Sequence, residues 1–138
     1  TQAAISAHQK GKLHEWVQEY LLNEGNVGLA RAFREERAIM VDIVEFPLSL
    51  LKKIEGPEEP SARQPLDVWE QRVTKIEKII KAGKDLPPII VTDFWRSLEI
   101  VDGNHRHEAL IRNGVENFWT IFFLSNEINK DLVKKHSK

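Results

Sequence analysis

The chain contains no cysteine, so disulfide bonds, thiolate metal sites and cysteine catalysis are excluded. It also lacks an excess of one charge. Its 20 Lys and Arg residues and 21 Asp and Glu residues give a formal net charge of -1, which supplies no global attraction to nucleic acid. We find neither a signal peptide nor an apolar run long enough to span a bilayer. We therefore expect no membrane partner and a cytoplasmic location.

Apolar residues are plentiful: 41% of the 138 residues are hydrophobic, and they include four Trp and six Phe. This is enough for one domain with a real core, or for one domain with a small appendage. Helical and strand patterns alternate along the chain. We expect an α/β (α+β) fold, in which a small mixed sheet of about four strands in residues 39–138 packs against helices and residues 1–38 form a helical N-terminal extension.

Hydrophobic periodicity places the elements. Apolar residues recur every three or four positions in residues 5–23 and again in 66–82, and both patterns predict helices. Further helices are expected over 27–37, from the Asp102-Gly103 turn to Arg112, and after Asn126, where a basic tail is expected to fray. Strands are predicted at 39–46, 89–92, 98–101 and 117–124. The first two helices either cover the sheet or form a homodimer contact, and a proline-containing loop over 56–65 is a candidate lid.

The stretch with the strongest functional signal is Asp102-Gly103-Asn104-His105-Arg106, which joins a predicted strand to a predicted helix. Gly lets the backbone turn sharply, and the first turn of a helix presents free N–H groups to an anion. Arg106 adds a cation that can hold two phosphate oxygens. We predict that residues 103–106 bind the phosphates of a nucleotide. Alternatively, the turn is purely structural, and Asp102 or Asn104 caps the helix.

On the functional interpretation, Arg106 is a surface cation. Its replacement by Ala is then expected to abolish nucleotide affinity while leaving the fold nearly intact.

The motif, followed by Ala109 and Gly114, resembles the Asp-Gly-(His/Asn)-His-Arg signature of the ParB/sulfiredoxin superfamily. Residues 44–51 and 86–91 resemble that superfamily's opening strand and the strand before its motif, in the same order. The resemblance covers about residues 39–124 and implies the fold of that superfamily. Asn104 stands where the resembling sulfiredoxins carry Cys, so sulfiredoxin chemistry is not expected.

Residues 51–55 (Leu-Lys-Lys-Ile-Glu) resemble the Leu-Lys-x-x-Glu segment of the superfamily's free serine kinase branch. The resemblance implies an enzyme, a nucleotide-dependent phosphotransferase or hydrolase that uses ATP or ADP with Mg²⁺. Glu55 would be the base toward a small hydroxyl substrate such as serine, with Asp102 and His105 as the other catalytic residues. Alternatively, Glu55 is an ordinary loop carboxylate.

Two other activities stay open by the same resemblance. Partition proteins of the superfamily bind CTP, which would make this chain a nucleotide-binding module tied to DNA partition or plasmid maintenance. Some members are described as DNA nucleases, although the net charge of -1 does not favour a DNA partner.

Single residues carry further alternatives. Asp102 either binds Mg²⁺, holds His105 or Arg106 in place, or starts the helix. His105 could donate to a phosphate or act as an acid, whereas its i,i+2 spacing from His107 argues against a shared zinc ion. Four aromatic residues and one cation near the strand ends are either core and turn residues, which we favour, or contacts to a nucleotide. These are Phe94, Trp95, Phe118, Trp119 and Arg96.

Overall fold

The structure is a computed structural model that describes residues 1–23, 39–56, 65–94 and 96–138. Its helices are α1 (Gln2–Gln9), α2 (Leu13–Asn23), α3 (Leu66–Lys81), α4 (Asn104–Arg112) and α5 (Glu127–His136). Its strands are β1 (Met40–Pro47), β2 (Lys52–Lys53), β3 (Ile89–Thr92), β4 (Glu99–Asp102) and β5 (Asn117–Leu124), and a 3₁₀ turn spans Leu48–Leu50. The helix expected over 27–37, most of the 56–65 loop and Trp95 lie outside the described residues.

The α/β class and the mixed sheet are confirmed, with five strands instead of about four. Their order is β1-β5-β3-β4-β2, so β3 lies at the centre. The β1–β5 and β3–β4 pairs are antiparallel, whereas β3–β5 and β2–β4 are parallel. The strand missed by the sequence prediction is β2, because two lysines carry neither hydrophobic alternation nor β-branched side chains. No helix in the described ranges has both the length and the apolar character needed to cross a membrane.

The central strand β3 is buried on both faces, which explains its unbroken apolar sequence. Because successive side chains point to opposite faces, Ile89 and Val91 join one hydrophobic cluster while Ile90 joins the other. The alternation continues in β5, where Phe122 belongs to the first cluster and Phe123 to the second. The sheet therefore separates two apolar layers.

Helices α1 and α2, which together occupy the range of the first predicted helix, cover one of these layers. Ala4, Val17 and Leu21 are almost fully buried in the cluster that includes Ile90. The single helix predicted over 5–23 is wrong, because Gly11 with a φ of +71° interrupts it. A homodimer through these helices stays a prediction, and their sheet-facing apolar residues are already covered within the chain.

Pro47 ends β1, which among the described strands pairs with β5 alone and so forms an edge of the sheet, where a residue without an N–H is tolerated. The C-terminal helix does not fray as expected. It extends to His136 and buries Val133 completely. Asn126 caps its start, because its side chain accepts hydrogen bonds from the backbone N–H groups of Ile128 and Asn129.

A buried carboxylate fastens the start of α5 to the end of β3. Asp93 is 3% exposed, and its two oxygens accept hydrogen bonds from the Ser125 backbone N–H (2.9 Å) and hydroxyl (3.1 Å) and from the Asn126 backbone N–H (2.9 Å). Asn129 Nδ2 donates to the same carboxylate at 3.3 Å. The buried carboxylate of Asp93 is therefore satisfied by four donors from the strand-to-helix connection and the first turn of α5.

Replacing Asp93 by Ala should lower the free energy of unfolding by about 2–4 kcal/mol, because four hydrogen bonds to a buried charged group are lost together. Urea unfolding would measure this. The control is Asp131→Ala on the exposed side of α5, which should change the free energy by less than about 0.5 kcal/mol. Equal effects of the two changes would contradict the structural role given to Asp93.

Candidate functional site

The turn between β4 and α4 depends on Gly103. Its φ of +107° is a conformation that other residues rarely adopt, and a Cβ placed there would lie 2.9 Å from Nη2 of Arg106. Gly103 is the N-cap of α4, and no side chain caps the helix at this residue. The first turn of α4 therefore directs its backbone N–H groups and the positive end of the helix dipole toward this turn.

The Arg106 guanidinium folds back over this turn. Its Nη2 donates to Asp102 Oδ2 at 2.9 Å and to the carbonyl oxygen of Pro88 at 3.0 Å. The side chain is only 13% exposed, and the Asp102 side chain is 15% exposed. The expectation that Arg106 is a surface cation is thus wrong, since the ion pair holds the side chain down. Of the three roles considered for Asp102, this contact corresponds to holding Arg106 in place.

Asn104 ties a distant segment to the turn. It is 3% exposed, its Oδ1 accepts hydrogen bonds from the backbone N–H groups of Ile54 (3.0 Å) and Glu55 (3.4 Å), and its Nδ2 donates to the carbonyl oxygen of Ile100. The amide side chain of Asn104 is therefore engaged in hydrogen bonds within the protein. Asn104 would contact an anion through its backbone N–H. The same contact fixes Glu55 beside the turn.

His105 lies between an aromatic ring and cations. Its ring centroid is 4.6 Å from that of Trp69 on α3, and the two rings are tilted by 37°. Burial, followed by the nearby charges of Arg72 and Arg106, lowers the pKa of His105 from its ordinary value. A neutral imidazole that can donate one hydrogen bond is the result at neutral pH.

These residues line one cavity of about 540 Å³, which we name the turn cavity. It contains every residue predicted for the site, from Asp102 to Arg106 together with Glu55. It also contains Arg72 and Lys75 from α3, which the sequence analysis missed. Both are exposed and three residues apart on one face of that helix, a spacing that marks a shared face but not what the face meets.

A second cavity of about 500 Å³, the side cavity, adjoins the first and shares Glu55 with it. Trp69 and Leu51 form the apolar part of its wall. A chain of ion pairs crosses its lining, from Lys53 to Glu108 (3.2 Å), to Arg112 (2.9 Å) and on to Glu70 (2.7 Å). This chain links β2 to α4 and α3.

His107 forms a buried part of the side cavity. It is 3% exposed, and its Nε2 lies 2.8 Å from the carbonyl oxygen of Leu48, which selects the tautomer with the proton on Nε2. Its Nδ1 is buried with no hydrogen-bond partner in the described parts of the chain. Burial lowers the pKa of His107, so the ring is neutral near pH 7.

The aromatic candidates do not gather at this site. Phe94 and Trp119 pack against the cluster under α1 and α2, and Phe118 packs against the cluster on the opposite face of the sheet. Arg96 is exposed and has a φ of +75° in the turn after β3. Within the ranges that the structure covers, no group of three His, Asp or Glu side chains is arranged to hold a metal ion.

No protein-family model and no curated protein matches the chain. Among solved structures it is similar to a sulfiredoxin from Arabidopsis thaliana, with 19% identity over 65% of this chain and 93% of that one and a TM-score of 0.47. It is also similar to a Pnob8-like ParB-N domain, with 12% identity over 67% of this chain and 32% of that one and a TM-score of 0.45. A third is a C-terminally truncated ParB from Caulobacter crescentus complexed with CTP-gamma-S, with 18% identity over 68% and 52% of the two chains and a TM-score of 0.43. The chain thus spans about a third to a half of these ParB proteins.

The low pKa values of His105 and His107 predict a loss of stability in mild acid. An unfolded chain takes up protons on both rings as the pH falls below about 6.5, whereas the folded chain resists them. The two neutral histidines therefore contribute fully to the free energy of unfolding above that pH, and this contribution declines as the pH falls below it. His107→Gln, which keeps a donor for Leu48, should flatten this decline in urea unfolding measured at a series of pH values, and an unchanged slope would contradict it.

Proposed function

We propose that the chain binds the phosphate groups of a nucleotide in the turn cavity. The observation that carries the proposal is that the N-terminal turn of α4 lines the same cavity as two cations of α3. Helix N–H groups and nearby Arg or Lys side chains are together a common way to bind phosphate. Arg72 and Lys75 supply the cations on the side opposite Gly103.

The charge of the cavity lining agrees with an anionic ligand. Three permanent cations, Arg72, Lys75 and Arg106, line it against two carboxylates, Glu55 and Asp102, which leaves an excess of one positive charge. The volume of about 540 Å³ lies within the range of roughly 300–1,000 Å³ typical of small-molecule sites and exceeds the need of a single phosphate. The motif resemblance makes ATP or ADP the first choice and CTP the alternative.

Mg²⁺ commonly binds through one or two carboxylates and the phosphate oxygens of the nucleotide. Asp102 and Glu55 are the carboxylates that line the turn cavity, but Asp102 already pairs with Arg106 through Oδ2. The residues therefore fit an ion held chiefly by the phosphates, with Glu55 or the second oxygen of Asp102 as a protein ligand. Such an ion would neutralise phosphate charge.

The double change Arg72→Gln and Lys75→Gln should weaken binding of ATP, ADP or CTP at least tenfold, because both cations face the phosphates. Calorimetric titration with and without Mg²⁺ would measure it. Both side chains are exposed, so the fold should be retained.

The matched control is Lys78→Gln with Lys81→Gln, which removes the same charge from exposed positions of α3 that line neither cavity. If the two double variants lose affinity equally, the loss comes from the change in net charge and not from contacts in the turn cavity. Inorganic tripolyphosphate distinguishes recognition of phosphate from recognition of the base. If no nucleotide and no polyphosphate binds the unaltered chain, the proposed function is wrong.

A phosphotransferase is favoured over a simple binding module by the position of Glu55, which lines both cavities. A nucleotide in the turn cavity and a small hydroxyl compound such as serine in the side cavity would meet at this carboxylate. The hydroxyl oxygen would attack the terminal phosphorus, its proton would pass to Glu55, and the shortened nucleotide would leave. His105 is placed to donate a hydrogen bond to the phosphate.

Glu55→Gln should lower phosphate transfer from ATP or ADP to serine by about 10²–10⁴-fold, the usual range for loss of a general base, while nucleotide affinity stays within about twofold. Phosphoserine formation and calorimetry measure the two quantities. Glu127→Gln is the control, because Glu127 is exposed on α5 and lines neither cavity, and it should leave phosphate transfer within about twofold.

If the unaltered chain binds CTP and forms no product, the non-catalytic module associated with DNA partition is favoured instead. Cleavage of DNA at low salt would support the nuclease alternative.

A further inference from the structure

Arg112, the last residue of α4, has all three of its side-chain nitrogens engaged by carboxylates. Its Nη1 and Nη2 each donate to one oxygen of Glu70 at 2.7 Å, and its Nε donates to Glu108 at 2.9 Å. The contact with Glu70 is therefore bidentate, and two parallel hydrogen bonds fix a direction as well as a distance. Arg112 thus joins α4 to α3 in a defined orientation.

The same arginine also connects these helices to the sheet. Glu108 lies 3.2 Å from the Nζ of Lys53, which ends β2 two residues before Glu55. The ion-pair chain Lys53–Glu108–Arg112–Glu70 therefore joins three elements of the candidate site: the strand before Glu55, helix α4 and helix α3. Arg112 is its central member, because it alone binds two carboxylates of the chain.

The apolar contact between α3 and α4 is less directional. Its buried residues are Trp69 and Val73 from α3 and Ala109 from α4. Ala109 presents a single methyl group, and dispersion contacts with one methyl are individually weak and hold no particular orientation. This contact alone would let α3 slide or turn slightly on α4, and the bidentate pair of Arg112 with Glu70 restricts that movement.

A second hydrogen bond ties the two helices seven residues further along α3, where Asn113 Nδ2 donates to Glu77 at 3.0 Å. Arg72 and Lys75, the cations of the turn cavity, lie between Glu70 and Glu77 on one continuous helix. The backbone hydrogen bonds of a helix keep neighbouring turns in a fixed relation. The position of both cations relative to the first turn of α4 therefore depends on these two ties.

We propose that Arg112 is a positioning residue for the turn cavity: by holding Glu70 it fixes the distance between the cations of α3 and the first turn of α4, and so sets the affinity for phosphate. The proposal rests on the proposed function. Arg112 lines the side cavity and not the turn cavity, so it acts through α3 and not by touching the phosphate.

His105 reports the position of α3 without any ligand. Burial is the largest cause of its lowered pKa, and the charge of Arg72 is the next. Its ring also contacts that of Trp69, the residue beside Glu70. If α3 moves away from α4, both influences weaken and the pKa of His105 rises toward its ordinary value.

Glu70→Gln separates positioning from charge, because the two predict opposite results. Removal of one carboxylate makes the protein more positive, so charge alone should tighten tripolyphosphate binding and lower the pKa of His105. Loss of the bidentate pair should instead weaken tripolyphosphate binding by about fivefold or more and raise the pKa of His105. Calorimetry measures the affinity. A ¹H NMR titration of the imidazole resonances measures the pKa, and His105→Gln identifies the resonance.

Arg112→Gln should act in the same direction as Glu70→Gln, although it changes the net charge in the opposite sense. Both side chains are partly exposed, so both variants should fold. Glu127→Gln is the matched control, because it removes one carboxylate from an exposed position of α5 that lines neither cavity. It should leave the affinity within about twofold and the pKa of His105 unchanged.

The possible failures are distinguishable. If the unaltered chain binds tripolyphosphate and Glu70→Gln binds it equally well or more tightly, the positioning role is refuted while the proposed function stands. If nothing binds the unaltered chain, the proposed function is wrong. In that case a pKa of His105 that rises in Glu70→Gln would still support the hold of Arg112 on α3, and one that stays or falls would refute it.

Discussion

The ion pair between Asp102 and Arg106 is the interaction on which the rest of the site depends. One residue, Gly103, separates the strand that carries Asp102 from the helix that carries Arg106, so the pair closes the turn upon itself. Both partners are largely withdrawn from water, and the desolvation of two charges offsets much of their attraction. The pair is therefore better understood as a fixed geometry than as a large source of stability. That geometry requires Gly at 103.

The sheet brings two separate segments to this turn. Because β3 pairs with β4, the carbonyl of Pro88, immediately before β3, lies within reach of Arg106. Because β2 runs beside β4, the backbone after β2 meets the side chain of Asn104, and Glu55 is fixed between the two cavities. Each contact is long-range in sequence, yet each is determined by strand order.

The difference between local and long-range contacts explains which features could be predicted from the sequence. The four longer strands, α3, α4 and the Gly103 turn follow from local periodicity and backbone chemistry, and the structure reproduces them. Strand β2 was missed because its pairing is imposed by its neighbour, and the break at Gly11 was missed because the apolar stripe continues past it. Asn104 was considered as a cap, but its side chain instead serves the distant Ile54 and Glu55. Polar partners of this kind become visible only after the sheet is formed.

The geometry of the site and its positive charge come from different parts of the chain. The charge of Arg106, the cation that the motif advertises, is largely compensated by Asp102 at 2.9 Å, so it contributes little net attraction for an approaching anion. The attraction then falls to Arg72 and Lys75, which lie on α3 and belong to no motif. The influence of Arg72 on the pKa of His105 shows that its field already reaches the turn. In the proposed anion site the motif would supply the shape and α3 the charge, so the sequence of α3 is where selectivity among phosphorylated ligands would be decided.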